Sequence, residues 1–124
     1  QPLYRHVAAL VDRLGAPLVG QCGYSGVGAV VWGKNVDLGG GRIIEKKSTW
    51  FLVPGFGAQG GTAADVAAAF DARGLGGIVN NSRGIIFAHR REEYAQRFGA
   101  ARWQEAVEAA TQAMIDQLRD VARA

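Results

Sequence analysis

The sequence predicts an α/β fold in which helices cover a short parallel sheet. Three short apolar runs, rich in β-branched residues, alternate with amphipathic segments, and none of the runs alternates between apolar and polar residues. Buried strands that alternate with helices form parallel sheets with right-handed crossovers. Three strands alone leave both sheet edges open, and 124 residues are about half of the roughly 250 in a (β/α)8 barrel. We therefore expect this sheet to be part of a larger barrel.

The first half of the chain contains one predicted helix and one predicted strand. The helix covers residues 2–14, where four apolar residues are spaced by 4, 3 and 4 positions: Leu3, Val7, Leu10 and Leu14. The strand covers residues 27–32, which follow a glycine-rich turn. Residues 33–48 fit a crossover helix poorly, because each of the glycines at 39–41 costs about 1 kcal/mol relative to alanine. We predict an irregular segment there.

The second half contains two further predicted strands. Residues 49–53 form a buried strand that a Pro-Gly pair ends. Residues 77–79 form the third strand, and residues 80–84 have the composition of a turn. The strands are short and lack alternation, so we expect both of their faces to be buried.

Three helices are predicted around and after these strands. The first begins at Thr62, whose hydroxyl can cap free amides, with Asp65 near the positive end of the helix dipole, and ends at Gly74. A short helix covers residues 91–98 and is interrupted at Gly99. The last helix carries one apolar stripe: Trp103, Val107, Ala110, Met114, Leu118 and Val121.

Composition and charge exclude several classes of function. The net charge is +3, but the basic excess is concentrated in residues 33–48, and no basic stripe is interleaved with aromatic residues. We therefore expect no nucleic-acid partner. No run approaches the roughly 18 apolar residues of a membrane span, so we expect no membrane association either. A single cysteine, Cys22, excludes a disulfide scaffold and, with no apparent export signal, predicts a cytoplasmic location.

Isolated histidines and tryptophans are interpreted as structural residues. His6 and His89 lack any partner at metal-ligand spacing, so no metal site is predicted. Trp32, Trp50 and Trp103 lie on apolar faces and are predicted core residues.

Two loops after neighbouring strands predict a phosphate site. Residues 54–61 contain four glycines and lead from a strand into a helix, so their amides and the helix N-terminus could surround an anion. Residues 80–84 follow the next strand, where Arg83 offers a fork of donors and Gly84 an unobstructed amide. Consecutive parallel strands end on the same side, so both loops should open on one face. The last two strand-end loops of (β/α)8 barrels frequently bind phosphate.

The same stretches resemble a known family. Residues 50–66 and 74–86, together with residues 23–31 and 93–99, are similar to the C-terminal part of orotidine 5'-phosphate decarboxylase of the longer bacterial type. The resemblance implies that residues 1–124 form the C-terminal half, about strands 6 to 8, of a single (β/α)8 TIM-barrel domain. It also implies conversion of orotidine 5'-monophosphate to UMP, in pyrimidine biosynthesis, without metal or organic cofactor.

The resemblance also assigns roles to the two loops. Gln59 would bridge the pyrimidine and the phosphate, and Arg83 would bind the phosphate beside the Gly84 amide. Together with the loop glycines, the predicted substrate-binding residues are Gln59, Gly60, Gly61, Arg83 and Gly84.

The catalytic residues of the family are not found in this sequence. The family uses an Asp-x-Lys-x-x-Asp constellation and a further lysine, and no such constellation occurs in these 124 residues. We expect the missing N-terminal half of the barrel to supply them, and the isolated chain to be inactive. The family also implies a homodimer in which an acidic residue of each site comes from the neighbouring subunit.

Two alternatives to the decarboxylase remain open. One is a non-catalytic phosphate-binding module that keeps the loops, and the other is a different TIM-barrel enzyme that processes phosphosugars.

Overall fold

The computed structural model describes three parts of the chain: residues 3–31, 48–57 and 61–122. The predicted irregular segment at residues 33–48 lies outside the described residues, apart from Ser48. Five α-helices occur in the described parts: α1 (Leu3–Gly15), α2 (Ala63–Val66), α3 (Ser82–Ile86), α4 (Glu92–Phe98) and α5 (Trp103–Ala122).

Three strands form one sheet: β1 (Gly28–Val30), β2 (Trp50–Val53) and β3 (Gly77–Val79). β1 pairs with β2 and β2 pairs with β3, and both pairs are parallel. The order of the strands in the sheet is therefore their order in the sequence. The prediction of an α/β fold with a parallel sheet is confirmed.

The helix after β2 is shorter than predicted. Thr62 caps it as expected, but α2 ends at Val66, and a 3₁₀ turn over Ala67–Ala69 follows in place of further α-helix. The physical reason lies in Asp71, whose Oδ1 accepts hydrogen bonds from the backbone amides of Arg73 (2.8 Å) and Leu75 (3.0 Å). An aspartate that bonds the following amides favours a turn over a continued helix.

The segment after β3 is more helical than predicted. Residues 80–84 were expected to form a turn, but α3 begins at Ser82 because the Asn81 side chain caps it. The interruption at Gly99 is confirmed, and its backbone φ of 68° lies in the left-handed region that glycine favours. α4 and α5 lie on the two sides of this glycine.

Helices α2 and α5 cover one face of the sheet. Phe51 and Val53 alternate along β2 toward this face, and both are buried. They form the main core with Val66, Ala69 and Met114 of α5. A second cluster joins α5 to the region after α3: Ala88, Ala106 and Ala110, with Tyr94 and Phe98 packed against them.

The other face of the sheet is apolar and uncovered by the described residues. Val30, Leu52 and Ile78 occupy one row across the three strands, and they are 67%, 36% and 51% exposed. The prediction that these strands are buried on both faces is therefore wrong for the described part of the chain. The reason is that α2 and α5, the helices that contribute buried residues to this core, pack on the opposite side, against Phe51 and Val53.

Further apolar groups predicted for the core are also exposed. The α1 stripe is uncovered along its length, with exposed fractions between 43% and 78%: Leu3, Val7, Leu10 and Leu14. Trp103, predicted as a core residue, is 49% exposed at the start of α5. Trp50 is half-buried, with its ring centroid 4.4 Å from that of Tyr24, and Trp32 lies outside the described residues.

A polar network closes the amino-terminal end of the strands. The buried Tyr24 donates its hydroxyl hydrogen bond to Asp71 Oδ2 at 3.0 Å, and Arg73 Nη2 lies 2.9 Å from the same oxygen. The amide of Leu75, together with the Arg73 and Tyr24 donors, lowers the pKa of Asp71 to about 2. Burial, followed by the hydrogen bond to Asp71, raises the pKa of Tyr24.

This network predicts an acid-dependent stability contribution from Asp71. Its pKa falls from 3.8 to about 2 on folding, so the charged carboxylate stabilises the fold fully above pH 3.8. That contribution is lost as the pH falls through about 2. We expect the melting temperature of Asp71→Asn to lie below that of the parent at pH 6, and the difference to shrink toward pH 2. A difference that stays constant over this range would contradict the assignment.

Candidate functional site

The candidate site lies at the carboxyl end of β2 and β3. After β2 the chain folds back on itself, because the Gly57 amide donates to the Gly61 carbonyl at 2.8 Å and the Gly61 amide donates to the Gly55 carbonyl at 3.2 Å. Gly57 has a φ of 71°, which favours glycine at this position. The described residues on the two sides of positions 58–60 therefore pair, with a bridge between Phe56 and Gly61.

The loops after β2 and β3 touch each other at Asn81. A Cβ added to Gly57 would lie 2.9 Å from Asn81 Nδ2 and 3.4 Å from Asn81 Cγ. The Asn81 side chain therefore packs directly on the Gly57 backbone. On the other side, Asn81 Oδ1 accepts a hydrogen bond from the Gly84 amide at 3.0 Å. The expectation that both loops open on one face is consistent with this contact.

Arg83 projects from the first turn of α3 beside this junction. It is exposed, and its guanidinium makes no ion pair or hydrogen bond with any residue in the described parts of the chain. It lines a cleft of about 490 Å³ that contains two further arginines: the lining residues are Arg83, Gly84, Phe87, Arg90 and Arg91. A cleft with several cationic groups favours an anionic ligand.

The two other arginines of the cleft have partners. The Arg90 guanidinium carbon lies 4.7 Å from the centroid of the Phe87 ring, and Arg91 Nη2 lies 2.6 Å from Glu93 Oε1. Arg83 is thus the cation of this cleft that is most available to a ligand.

The five predicted site residues have different outcomes. Gln59 and Gly60 lie outside the described residues. The amides of Gly61 and Gly84 are near the junction but already donate to Gly55 and Asn81, respectively. Of the three predicted site residues that the structure describes, only Arg83 has N–H donors that make no hydrogen bond within the described parts of the chain.

The N-terminus of α2 is less favourable to an anion than the sequence suggests. Asp65 Oδ2 accepts hydrogen bonds from the Thr62 amide and the Thr62 hydroxyl, both at 2.7 Å. The Thr62 hydroxyl in turn accepts from the Asp65 amide at 3.3 Å, which completes a capping box. A carboxylate therefore already occupies the positive end of this short helix.

Asn81 is the residue at this site that the sequence prediction missed. The residue type could have indicated its capping role, because asparagine is among the preferred N-cap residues and a helix begins directly after it. Its contact with Gly57 joins positions 24 residues apart and had no local signal.

Other types of site receive no support from the described residues. These residues contain no cluster of histidine, cysteine, aspartate or glutamate that could hold a metal ion. His89 Nδ1 is buried without a hydrogen-bond partner among them. No helix in the described parts is long and apolar enough to cross a membrane.

Comparison with known proteins identifies several relatives that share one name. A decarboxylase of Rhodopirellula baltica, named orotidine 5'-phosphate decarboxylase, is 45% identical over 121 residues, which cover 94% of this chain and 39% of that protein. Proteins of the same name from Clostridium kluyveri and Clostridium novyi are 42% identical over 106 and 97 residues, covering 36% and 33% of their own lengths. No family model and no solved structure matches. The chain spans little more than a third of these relatives, and it matches a C-terminal segment of orotidine 5'-phosphate decarboxylases.

Proposed function

We propose that this chain is the phosphate-binding part of an orotidine 5'-phosphate decarboxylase, and that the complete protein converts orotidine 5'-monophosphate into UMP and CO2. The observation that carries the proposal is the junction of the two strand-end loops at Gly57 and Asn81, with Arg83 beside it making no ion pair within the described parts of the chain. The relatives that share 42–45% identity carry this activity in their names.

The chemistry of Arg83 fits a phosphate monoester. A guanidinium group presents several N–H donors in a planar fork that matches two oxygens of a phosphate. At neutral pH the phosphate carries close to two negative charges, so it also complements the cationic cleft. In this proposal Gln59 and Gly60 contact the phosphate and the pyrimidine from the facing loop, with Gly61 and Gly84 shaping the site.

The uncovered face of the sheet supports a complete TIM barrel. In such a barrel, helices cover the outside of the strands and apolar side chains from the strands fill the interior. The helix-free row of Val30, Leu52 and Ile78 has the residue types and the orientation of that interior. We propose that residues 1–124 belong to one barrel domain, and that preceding strands of the longer chain cover this row and the apolar stripe of α1.

Phosphate binding contributes to catalysis although the phosphate does not react. Binding energy from a remote group can be used to organise the site and to stabilise the transition state. In the reaction the bond between the pyrimidine ring and the carboxylate breaks, CO2 leaves, and the electron pair stays on the ring carbon, which then takes a proton. We propose that a lysine and aspartates outside these 124 residues carry this step, in a cytoplasmic homodimer.

The test is decarboxylation by the complete protein that contains this segment. We expect it to convert orotidine 5'-monophosphate into UMP, measured by the change in ultraviolet absorbance, and the 124-residue segment alone to show no turnover. A complete protein that binds UMP but releases no CO2 would contradict the proposal and support the non-catalytic phosphate-binding module.

A further inference from the structure

We propose that Asn81 is a positioning residue that holds the two phosphate loops at a fixed separation. The inference rests on the proposed function, because it concerns the same site. It adds a role for a residue that contacts both loops and that neither the sequence motif nor the resemblance singles out.

Asn81 accepts two hydrogen bonds within its own loop. Its Oδ1 accepts from the Gly84 amide at 3.0 Å, and its backbone carbonyl accepts from the Ile85 amide at 3.2 Å. Both bonds fix the first turn of α3, which carries Arg83. The side chain is partly buried here, so these bonds compete with water less than exposed ones do.

The Asn81 side chain also contacts the loop that follows β2. The Nδ2 end of the same side chain lies against the Gly57 backbone, so close that a methyl group on Gly57 would leave only 2.9 Å between them. Gly57 is itself fixed by its hydrogen bond to Gly61. One planar amide therefore separates a fixed turn of the first loop from the fixed start of α3.

The Nδ2 end of the Asn81 side chain contacts Gly57 by packing. In the described parts of the chain, no acceptor is hydrogen-bonded to Asn81 Nδ2, so this end positions the loop by packing. A shorter side chain could still cap α3 but would leave a gap beside Gly57. Displacement of a binding group by about 1 Å can cost about 100-fold in rate, so this gap should affect substrate use.

The test is Asn81→Ser in the complete protein. Serine is also a preferred N-cap, so α3 should persist and the melting temperature should stay close to that of the parent. We expect KM for orotidine 5'-monophosphate to rise by about tenfold and kcat to change by less than about threefold, because the substituted group positions the phosphate contacts. The reaction of orotidine, which lacks the phosphate, should be unaffected.

A control is Gln117→Ser, which truncates an exposed side-chain amide on α5. Gln117 lies in the half of α5 that ends at Ala122 beside Gly74, before β3, so its KM should change far less. Equal KM values for Asn81→Ser and the parent would overturn the inference. So would an equal loss with orotidine, which would indicate a general structural effect.

Two further variants test the inference if Asn81→Ser does not fold, and they separate it from the proposed phosphate site. If Asn81→Ser does not fold, Asn81→Thr also keeps a capping hydroxyl and also withdraws the side chain from Gly57, so its KM should rise by a similar factor. If Arg83→Ala raises KM but neither Asn81 variant does, the inference about Asn81 fails alone. If Arg83→Ala leaves KM unchanged, the proposed phosphate site itself fails.

Discussion

Arg83→Ala in the complete protein is expected to lower kcat/KM for orotidine 5'-monophosphate by about 100- to 1,000-fold. This corresponds to roughly 3–4 kcal/mol, within the range for removing one partner of a desolvated charge pair. The loss should be large because no other described cation of the cleft is without a partner. Steady-state kinetics at substrate concentrations well below KM measure it directly.

Three controls separate phosphate binding from damage to the fold. Arg83→Lys keeps the charge but loses the planar fork, so it should recover part of the activity. Arg97→Ala removes an arginine that lies over the Phe98 ring, outside the cleft, and should leave kcat/KM close to that of the parent. With orotidine as substrate, Arg83→Ala should react as the parent does. An equal loss with and without the phosphate would refute the assignment.

Gly84→Ala is expected to lower the free energy of unfolding by about 2–3 kcal/mol. A Cβ on Gly84 would lie 2.6 Å from Asn81 Nδ2 and 2.7 Å from Asn81 Cγ, and closer still to Oδ1. Gly84 is buried, so the Asn81 side chain must move and lose its bond to the amide. Overpacking costs about 1–3 kcal/mol and a lost cap about 1 kcal/mol. Urea unfolding of the complete protein measures the change.

Gly26→Ala provides the matched control for the glycine substitution. The nearest atoms to a Cβ there belong to Leu18, at 3.9 and 4.0 Å, which is ordinary van der Waals contact. Its unfolding free energy should change by less than about 0.5 kcal/mol. If Gly84→Ala were as stable as Gly26→Ala, the close packing of Asn81 on Gly84 would be wrong.

Features that depend on local sequence were predicted best. β3 occupies residues 77–79 as predicted, and Thr62 caps α2, because hydroxyl capping and short apolar runs are local signals. The location of both loops at the same end of the sheet follows from the parallel arrangement alone. The end of α2 was not predicted. It depends on the Asp71 side chain, which accepts hydrogen bonds from the backbone amides that a longer helix would use, and helix propensities do not account for such bonds.

Features that depend on distant contacts could not be predicted from the sequence. The position of Asn81 against Gly57 is set by how β2 and β3 pair, which no short pattern encodes. The exposure of Val30 and Ile78 has a similar origin, because an apolar strand residue has the same sequence signature whether or not another element covers it. The positions of the strands along the sequence were therefore more predictable than the contacts between the loops that follow them.

The polar network of Tyr24, Asp71 and Arg73 lies at the opposite end of the strands from Arg83. The polar network and the proposed phosphate site thus lie at two separate ends of one sheet. Substitutions selected for heat or acid tolerance can be directed to the amino-terminal end, where they leave the loops around Asn81 untouched. Conversely, the loops at the carboxyl end can change in sequence while the network at the amino-terminal end continues to stabilise the sheet.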